Sequence, residues 1–256
     1  MTGALLLLLI GLADLARAHW ASRHPLRLIL PAWLAVVTLA ATGLGLPFWS
    51  VGCAIALAVG WMLATRGARH TAGVWPAVGL GVALAALLAF DPTTASVHGY
   101  LVDWHASAPS VALRQLPLAT VLLAAALATF LVESGNMIVR AAIRLDDAPT
   151  LSVAQATPRR RWRRDLAAPL PIPPALQLRG GRLIGPLERL LLLSLVRSGL
   201  YVVAGAVIAA KGIVRFPEIS RDDVRGSKAE YFLVGSLVSW TLSLASAGLL
   251  LASVSG

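Results

Sequence analysis

The chain has 256 residues and a formal net charge of +10. Hydrophobic residues make up 57% of it and charged residues only 13%, against about 45–50% and about 25% in soluble domains. Mean hydropathy is +0.76, and apolar runs close to the ~20 residues that cross a bilayer recur along the chain. This composition excludes an ordinary soluble protein and predicts an all-α, polytopic transmembrane helix bundle. The single cysteine, Cys53, excludes a disulfide framework and a cysteine-based metal site.

Apolar runs predict about eight spans. They divide the chain into a five-span half over residues 1–145 and a three-span half over residues 182–256, joined by a linker over residues 146–181. Five spans followed by three give no sign of an inverted repeat. The predicted spans are Thr2–Ala16, Leu26–Leu44, Pro47–Thr65, Val74–Phe90, Leu118–Val139, Ile184–Val196, Leu200–Val214 and Ala229–Val254.

Arginine and lysine residues set the predicted orientation. The loops assigned to the cytoplasm hold three, two, ten and five basic residues, which together are 20 of the 22 in the chain. This asymmetry places both termini outside. No basic residue precedes the first apolar run, which is therefore interpreted as a retained helix rather than a secretory signal. A single helix over residues 184–214 would put the basic loop Lys211–Lys228 outside, so a hairpin turning at residues 197–199 is predicted.

The linker is rich in proline and carries a dense basic segment around one tryptophan. Prolines favour extended chain, and five arginines beside a membrane attract anionic lipid headgroups. A plain topology determinant with no dedicated partner explains the segment as well. Nucleic-acid binding is not expected, because no nucleic-acid fold accompanies it. The segment consists of Arg159, Arg160, Arg161, Trp162, Arg163 and Arg164.

Small residues spaced four apart predict helix-packing seams, because small side chains let membrane helices approach closely. One such set lies on each of four predicted spans, and together they predict a compact bundle. The sets are Gly52, Ala56 and Gly60; Ala77, Gly81 and Ala85; Gly205 and Ala209; and Gly235, Ser239, Ser243 and Ala247.

Two carboxylates lie within predicted spans, where ionisable side chains often mark functional sites. Asp14 is either a cation or proton site or the local partner of Arg17, three residues further on, and the short spacing favours the pair. Glu133 is the most interior carboxylate. It is a candidate for ion transport or a proton relay, and an interhelical pair or a hydrogen-bonded carboxyl is the simpler account.

A second group of charges lies at the predicted inner ends of the last three spans. These residues are candidates for an anionic headgroup or ligand pocket, and structural ion pairs with snorkelling anchors are the simpler interpretation. At least one salt bridge between different helices is expected among them. The group comprises Glu188, Arg189, Lys211, Arg215 and Glu230.

Histidines raise the question of a metal. His98, Asp103 and His105 in the external loop 91–116 could ligate zinc, but the loop is equally typical of an interfacial segment anchored by Tyr100 and Trp104. No metal and no cofactor is therefore predicted. The sequence also lacks G-x-S-x-G, H-E-x-x-H and P-loop patterns.

Three stretches of the C-terminal part, GRLIGPLER at 181–189, AAKGIVRF at 209–216 and EYFLVG at 230–235, occur in this order. They resemble bacterial multi-pass membrane proteins that share a C-terminal domain of unknown function. The resemblance covers about residues 180–245 and implies a bacterial membrane location without naming an activity. The resemblance also gives weight to the charged group at the predicted inner ends of the last three spans. It implies that the protein is located in the cytoplasmic membrane.

Three functions stay open on these observations. The first is a non-enzymatic accessory, assembly or regulatory membrane component. The second is a small-solute or ion transporter or channel that uses Glu133, Asp14 and the inner charges. The third is a membrane enzyme that acts on a lipid-linked substrate. Expected partners are membrane lipids with anionic headgroups, and another membrane protein or a second copy of the chain.

Overall fold

The computed structural model describes residues 1–19, 26–66, 73–90, 98–146, 181–219 and 227–255. The basic segment Arg159–Arg164, with most of the linker, lies outside the described residues. Within them, all regular structure is helical. The helices are α1 (Thr2–His19), α2 (Leu26–Thr38) with a π-helical turn (Leu39–Gly43), α3 (Phe48–Arg66), α4 (Trp75–Phe90), α5 (Tyr100–Ala106), α6 (Val111–Gln115), α7 (Leu118–Asp146), α8 (Gly181–Arg197), α9 (Tyr201–Ile219) and α10 (Ser227–Ser255).

The long helix α7 is the centre of the bundle and contacts α1, α8 and α10. Helix α1 lies closest to it. A Cβ atom added to Gly11 would lie 2.8 Å from the backbone nitrogen of Phe130, so only glycine permits this approach. The apolar core forms along the α1–α7 contact, where Leu6, Leu9 and Leu131 are fully buried.

Side-chain contacts give the relative directions of the helices. Gly11 and Asp14 of α1 meet residues 129–130 and 134 of α7 in the same order, so these two helices run parallel. Helix α10 runs antiparallel to α7. Its Gly235 lies against Ile143, while its Ser253 hydrogen-bonds Thr120, with 3.0 Å between the two hydroxyl oxygens.

The predicted hairpin is confirmed. Helix α8 ends at Arg197 and α9 begins at Tyr201. Gly199 has a positive φ of 74°, the left-handed conformation that glycine adopts without strain. The amide of Leu200 donates to the carbonyl of Leu195 at 2.9 Å, and the amide of Gly199 donates to Val196 at 3.1 Å. These are the two hydrogen bonds of a Schellman C-cap.

Within the part of the chain that the structure describes, three helices are long and apolar enough to cross a membrane: Phe48–Thr65, Leu118–Ile143 and Glu230–Ser253. Three shorter apolar helices are Ile29–Gly43, Trp75–Phe90 and Tyr201–Val214. Large apolar side chains such as Val202 and Phe90 are more than 80% exposed on the outside of the bundle. A helical, membrane-associated protein therefore fits the structure.

The small-residue seams are only partly as predicted. On α10 the seam is confirmed: Ser239, Ser243 and Ala247 are buried against the rest of the bundle. On α3 it is wrong, because Gly52, Ala56 and Gly60 all face outward. Gly81 and Ala85 on α4 and Gly205 and Ala209 on α9 are exposed as well.

The physical reason is that lipid and bundle interior are equally apolar, so a small-residue ladder does not reveal which of the two its helix face meets. Ala77 is the exception within the α4 set, since it packs against the core. A Cβ atom added at Gly52 or at Gly205 meets nothing within 4 Å among the described residues. These ladders are consequently outer faces of the described bundle.

Candidate functional site

Asp14 is the acceptor at the centre of a buried polar contact between three helices. Its side chain is fully buried. Oδ2 accepts hydrogen bonds from the indole Nε1 of Trp61 on α3, at 3.0 Å, and from the hydroxyl of Ser134 on α7, at 2.6 Å. Oδ1 pairs with the guanidinium of Arg17. The predicted Asp14–Arg17 pair is confirmed, and two further donors satisfy the carboxylate.

Arg17 extends this contact to the end of α3. Both terminal nitrogens of its guanidinium lie 3.1 Å from the hydroxyl oxygen of Thr65, and that hydroxyl donates to the carbonyl of Trp61 at 2.7 Å. Since buried polar groups are costly when unpaired, these bonds hold α1, α3 and α7 in one relative position.

Glu133 lies one residue before Ser134 and is also buried. Its Oε1 is 3.7 Å from Arg140 Nη2 on the same helix, and the Arg140 side chain is 54% exposed. The Glu133 charge also attracts the guanidinium of Arg189 on α8. This carboxylate is therefore compensated both along α7 and across the α7–α8 contact.

Arg189 is almost completely buried, at 1% exposure. Its guanidinium lies flat on the backbone of α7 at Gly135, where an added Cβ atom would come within 3.0 Å of Cζ. One terminal nitrogen donates to the side-chain oxygen of Asn136. The glycine at position 135 thus provides the space in which the arginine crosses from α8 to α7.

Glu188, the neighbour of Arg189, faces the other two helices of the C-terminal half. Its Oε2 accepts a hydrogen bond from Nζ of Lys211 on α9 at 2.6 Å. Its Oε1 accepts one from the indole Nε1 of Trp240 on α10 at 2.9 Å. Lys211 also lies over the Trp240 ring, 5.7 Å from its centroid, within the range of a cation–π contact. The expected salt bridge between different helices is confirmed.

Together these contacts form a continuous buried polar row across the bundle, from α3 through α1 and α7 to α8, α9 and α10. Residues 133–136 of α7 are its centre, because Ser134 faces α1 and Asn136 faces α8. The members of the buried polar row are Asp14, Arg17, Trp61, Thr65, Glu133, Ser134, Asn136, Glu188, Arg189, Lys211 and Trp240, and the exposed Arg140 lies at its edge.

Among the described side chains, the structure brings together only two of the five inner charges named from the sequence. Glu188 and Lys211 bind each other, and Arg189 turns away from them toward α7. Glu230 lies exposed in the first turn of α10. Arg215 belongs to α9, but its side chain lies outside the described part. A single pocket formed by all five is not observed in the described structure.

Five neutral members of the row were not predicted from the sequence: Trp61, Thr65, Ser134, Asn136 and Trp240. Each is neutral, and tryptophan in an apolar span is usually assigned to the membrane interface. The sequence feature that could have indicated Trp61 and Thr65 is their spacing of four residues, which places both on one face of α3. Ser134 was visible only as the neighbour of Glu133.

The external histidine group does not assemble. His98 and Asp103 are exposed, whereas His105 is buried on α5. Within the described residues, no three histidine, cysteine or acidic side chains lie close enough together to hold a metal ion. The loop predicted over residues 91–116 instead contains the two short helices α5 and α6.

A scan against protein-family models, a search of curated proteins and a search of solved structures each find no match to the chain. The buried polar row is accordingly the feature from which a function is inferred.

Proposed function

We propose that this chain is a non-enzymatic integral membrane component, an assembly, regulatory or accessory subunit that works through contacts of its helices with lipid and with other membrane proteins. In this proposal eight helices, α1 to α4 and α7 to α10, span the cytoplasmic membrane of a bacterium with both termini outside. The asymmetry of the basic residues supports this orientation, and the resemblance of residues 180–245 supports the bacterial membrane.

The pairing of the buried carboxylates carries the proposal. Asp14, Glu133 and Glu188 each lie against a cation, and Asp14 and Glu188 each accept an additional indole hydrogen bond. Arg17 and Arg140 lie on the same helices as their carboxylates, whereas Lys211 and the two indoles join a carboxylate to a different helix. These contacts between helices act as cross-links within the bundle, because a charge in a low-dielectric interior persists only when it is paired and hydrogen-bonded.

The first alternative to an accessory component is an ion transporter or channel. A carboxylate that carries an ion has to exchange its partner for that ion during the cycle. The apolar cavity at the Met1 end of the bundle is lined by aliphatic side chains such as Leu8, Leu101 and Leu122, and none of the three carboxylates lines it. A membrane enzyme, the second alternative, would use the external histidines or the inner charges, which do not converge in the described residues.

Proton flux and stability together test the proposal. The wild-type chain, Glu133→Gln and Glu230→Gln are reconstituted in vesicles loaded with a pH-sensitive dye, and the same proteins are melted in detergent. Glu133→Gln is expected to lower stability by about 1–3 kcal/mol, because it leaves the buried guanidinium of Arg189 undercompensated. That loss corresponds to a fall in melting temperature of roughly 2–12 °C. The exposed Glu230 provides the matched control, for which no such fall is expected.

All three preparations are expected to dissipate an imposed pH gradient at the rate of protein-free vesicles. A flux that depends on the wild-type protein, and that disappears in Glu133→Gln but not in Glu230→Gln, would overturn the proposal in favour of transport. Equal stability of Glu133→Gln and the wild type would remove the structural role from which the proposal is argued.

A further inference from the structure

Two helices at the periphery of the bundle are too short to cross a bilayer of ordinary thickness. The apolar parts of α4 (Trp75–Phe90) and α9 (Tyr201–Val214) cover about 24 Å and about 21 Å at 1.5 Å per residue. The hydrocarbon core of a bilayer measures roughly 30 Å. The central spans Leu118–Ile143 of α7 and Glu230–Ser253 of α10, by contrast, cover about 39 Å and about 36 Å. One chain therefore combines helices that are longer than the bilayer with helices that are shorter.

Long and short helices respond differently to the thickness of the bilayer. A helix that is too long can tilt until its apolar length fits, whereas tilting makes a short helix cover still less of the membrane. Helices α7 and α10 can consequently adapt to a wide range of thickness. Beside α4 and α9, either the bilayer becomes thinner or the polar ends of the helices enter the hydrocarbon.

Polar groups bound the apolar part of α9 at both ends. At one end, Ser198 and Gly199 in the turn of the hairpin are exposed, and lipid-exposed turns do not occur within the hydrocarbon region. Near the other end, Lys211 pairs with Glu188, and Arg215 follows one helical turn later. Charges of this kind are costly within the bilayer. Sinking α9 into a thicker bilayer is therefore unfavourable at both ends.

Exposed aromatic side chains lie at the ends of both short helices. They are Trp75 and Phe90 on α4 and Tyr201 and Phe216 on α9, and each is more than 60% exposed. In each helix the two aromatic residues lie about 22 Å apart along the axis at 1.5 Å per residue. Tryptophan and tyrosine are enriched at membrane–water interfaces. Their spacing indicates a hydrophobic band thinner than the roughly 30 Å of an ordinary bilayer.

Both short helices are open to lipid along their length. Helix α4 packs on α3 and α1, and α9 packs on α8. Among the described side chains of the two helices, only Leu80 and Ala204 are buried. Apolar side chains such as Val82 and Val202 face outward. The described bundle therefore leaves both helices to meet the bilayer directly.

We propose that the chain thins the bilayer beside α4 and α9, and that these two helices bind phospholipids with short acyl chains in preference to long ones. Short acyl chains match an apolar height of about 21–24 Å, so the bilayer has to deform less when such lipids lie against these helices. The lipid beside α10 meets a taller apolar face, which carries no such preference. The inference rests on the proposed function only in that α4 and α9 cross a membrane.

Quenching of a fluorescent label by spin-labelled lipids tests the proposal. In a Cys53→Ser background, bimane is attached to the full chain at Ala206→Cys on α9, Val82→Cys on α4 or Leu244→Cys on α10, which are exposed positions near the middle of their helices. The vesicles contain equal amounts of dimyristoleoyl and dierucoyl phosphatidylcholine, and either the short or the long lipid carries the nitroxide. The ratio of quenching by the short lipid to quenching by the long lipid is expected to be higher at α9 and α4 than at α10, by about twofold or more.

A pair of double variants shows whether the length of the helix is the cause. Arg215→Leu combined with Glu218→Leu extends the apolar stretch of α9 to Ile219, which makes it about 28 Å long at 1.5 Å per residue. This change is expected to lower the quenching ratio at Ala206→Cys to the value measured at Leu244→Cys. Arg215→Lys combined with Glu218→Asp keeps the polar end in place, so this matched control should retain the preference.

Three results would overturn the proposal. Equal quenching ratios at α9 and α10 would show that α9 does not select short acyl chains. A ratio that stays high in the lengthened variant would show that length is not the cause. Absence of quenching by either lipid at Ala206→Cys would show that a second copy of the chain or another protein covers α9.

A second label position keeps the test decisive if Ala206→Cys fails to fold. Ala209→Cys, also exposed on α9, is then expected to give the same quenching ratio. The quenching ratio involves neither proton flux nor melting temperature, so failure of this proposal is distinct from failure of the proposed function.

Discussion

Nζ of Lys211 on α9 lies 2.6 Å from Oε2 of Glu188 on α8. The two residues are 23 positions apart and meet because the hairpin folds back at Gly199. Trp240 of α10 occupies the other carboxylate oxygen and at the same time offers its ring to the lysine. One carboxylate thereby joins all three helices of the C-terminal half, at a site where the Lys211 side chain is still 27% exposed.

The first prediction concerns this pair. Glu188→Gln and Lys211→Met are each expected to destabilise the chain, and the double variant is expected to lose less than the two single losses together. The reason is that either single change leaves one charge without its partner. A coupling free energy of about 1–3 kcal/mol is expected for residues in direct contact. Thermal unfolding in detergent measures it, and strictly additive losses would show that the residues do not act as a pair.

The second prediction concerns the closest helix contact. Gly11→Ala is expected to destabilise by about 1–3 kcal/mol, because the new methyl group has to displace rigid backbone rather than a side chain. Its Cβ atom would lie 2.8 Å from the nitrogen of Phe130 and 3.0 Å from the carbonyl carbon of Thr129. Gly205→Ala on α9 is the matched control, since its Cβ atom meets nothing within 4 Å in the described residues. Similar melting temperatures for both variants would contradict the close α1–α7 approach.

The third prediction concerns orientation. In a Cys53→Ser background, Trp162→Cys is expected to resist a membrane-impermeant maleimide in intact spheroplasts and to react once the membrane is opened, because basic loops stay inside. Ser107→Cys is expected to react in both cases, as Ser107 is exposed just after α5. Labelling of position 162 from outside would reject the proposed orientation.

The fourth prediction concerns the basic segment Arg159–Arg164. A peptide of this linker region is expected to bind anionic vesicles, with about 1 kcal/mol for each basic residue near the surface. High salt should release it, because the Debye length falls from about 10 Å at 0.1 M to about 3 Å at 1 M. A peptide with glutamine at the five arginine positions and with Trp162 retained is the control. Equal binding of the two peptides, or equal binding to neutral vesicles, would show that charge is not the cause.

Several features of the fold were predictable because they depend on neighbours in the sequence. The pair of Asp14 and Arg17 follows from a spacing of one helical turn. The turn at Gly199 follows from the basic loop that comes after it and from the preference of glycine for a positive φ. Once that hairpin exists, the contact between Glu188 and Lys211 follows from the lengths of its two arms.

Contacts between distant helices were not predictable in the same way. No spacing relates Asp14 to Trp61 or to Ser134, and no spacing relates Glu188 to Trp240. These partners are neutral, so no charge pattern in the sequence predicts that they bind the carboxylates. The contact of Gly99 and Leu101 with Gly43 in the π-helical turn Leu39–Gly43 likewise joins residues that no short spacing relates.

The sequence by itself determined the class of the protein, the approximate positions of the helices and the short-range pair of Asp14 and Arg17. These features depend on hydropathy and on the spacing of near neighbours, which the sequence gives directly. Only the tertiary structure decided which face of each helix is inside. In a soluble protein the apolar face identifies the interior, but in a bilayer both the lipid and the interior are apolar. Gly52 and Gly235 belong to similar ladders, yet the first faces outward and the second packs against Ile143. The difference is whether another helix packs on the glycine, and that depends on residues that are distant in the sequence.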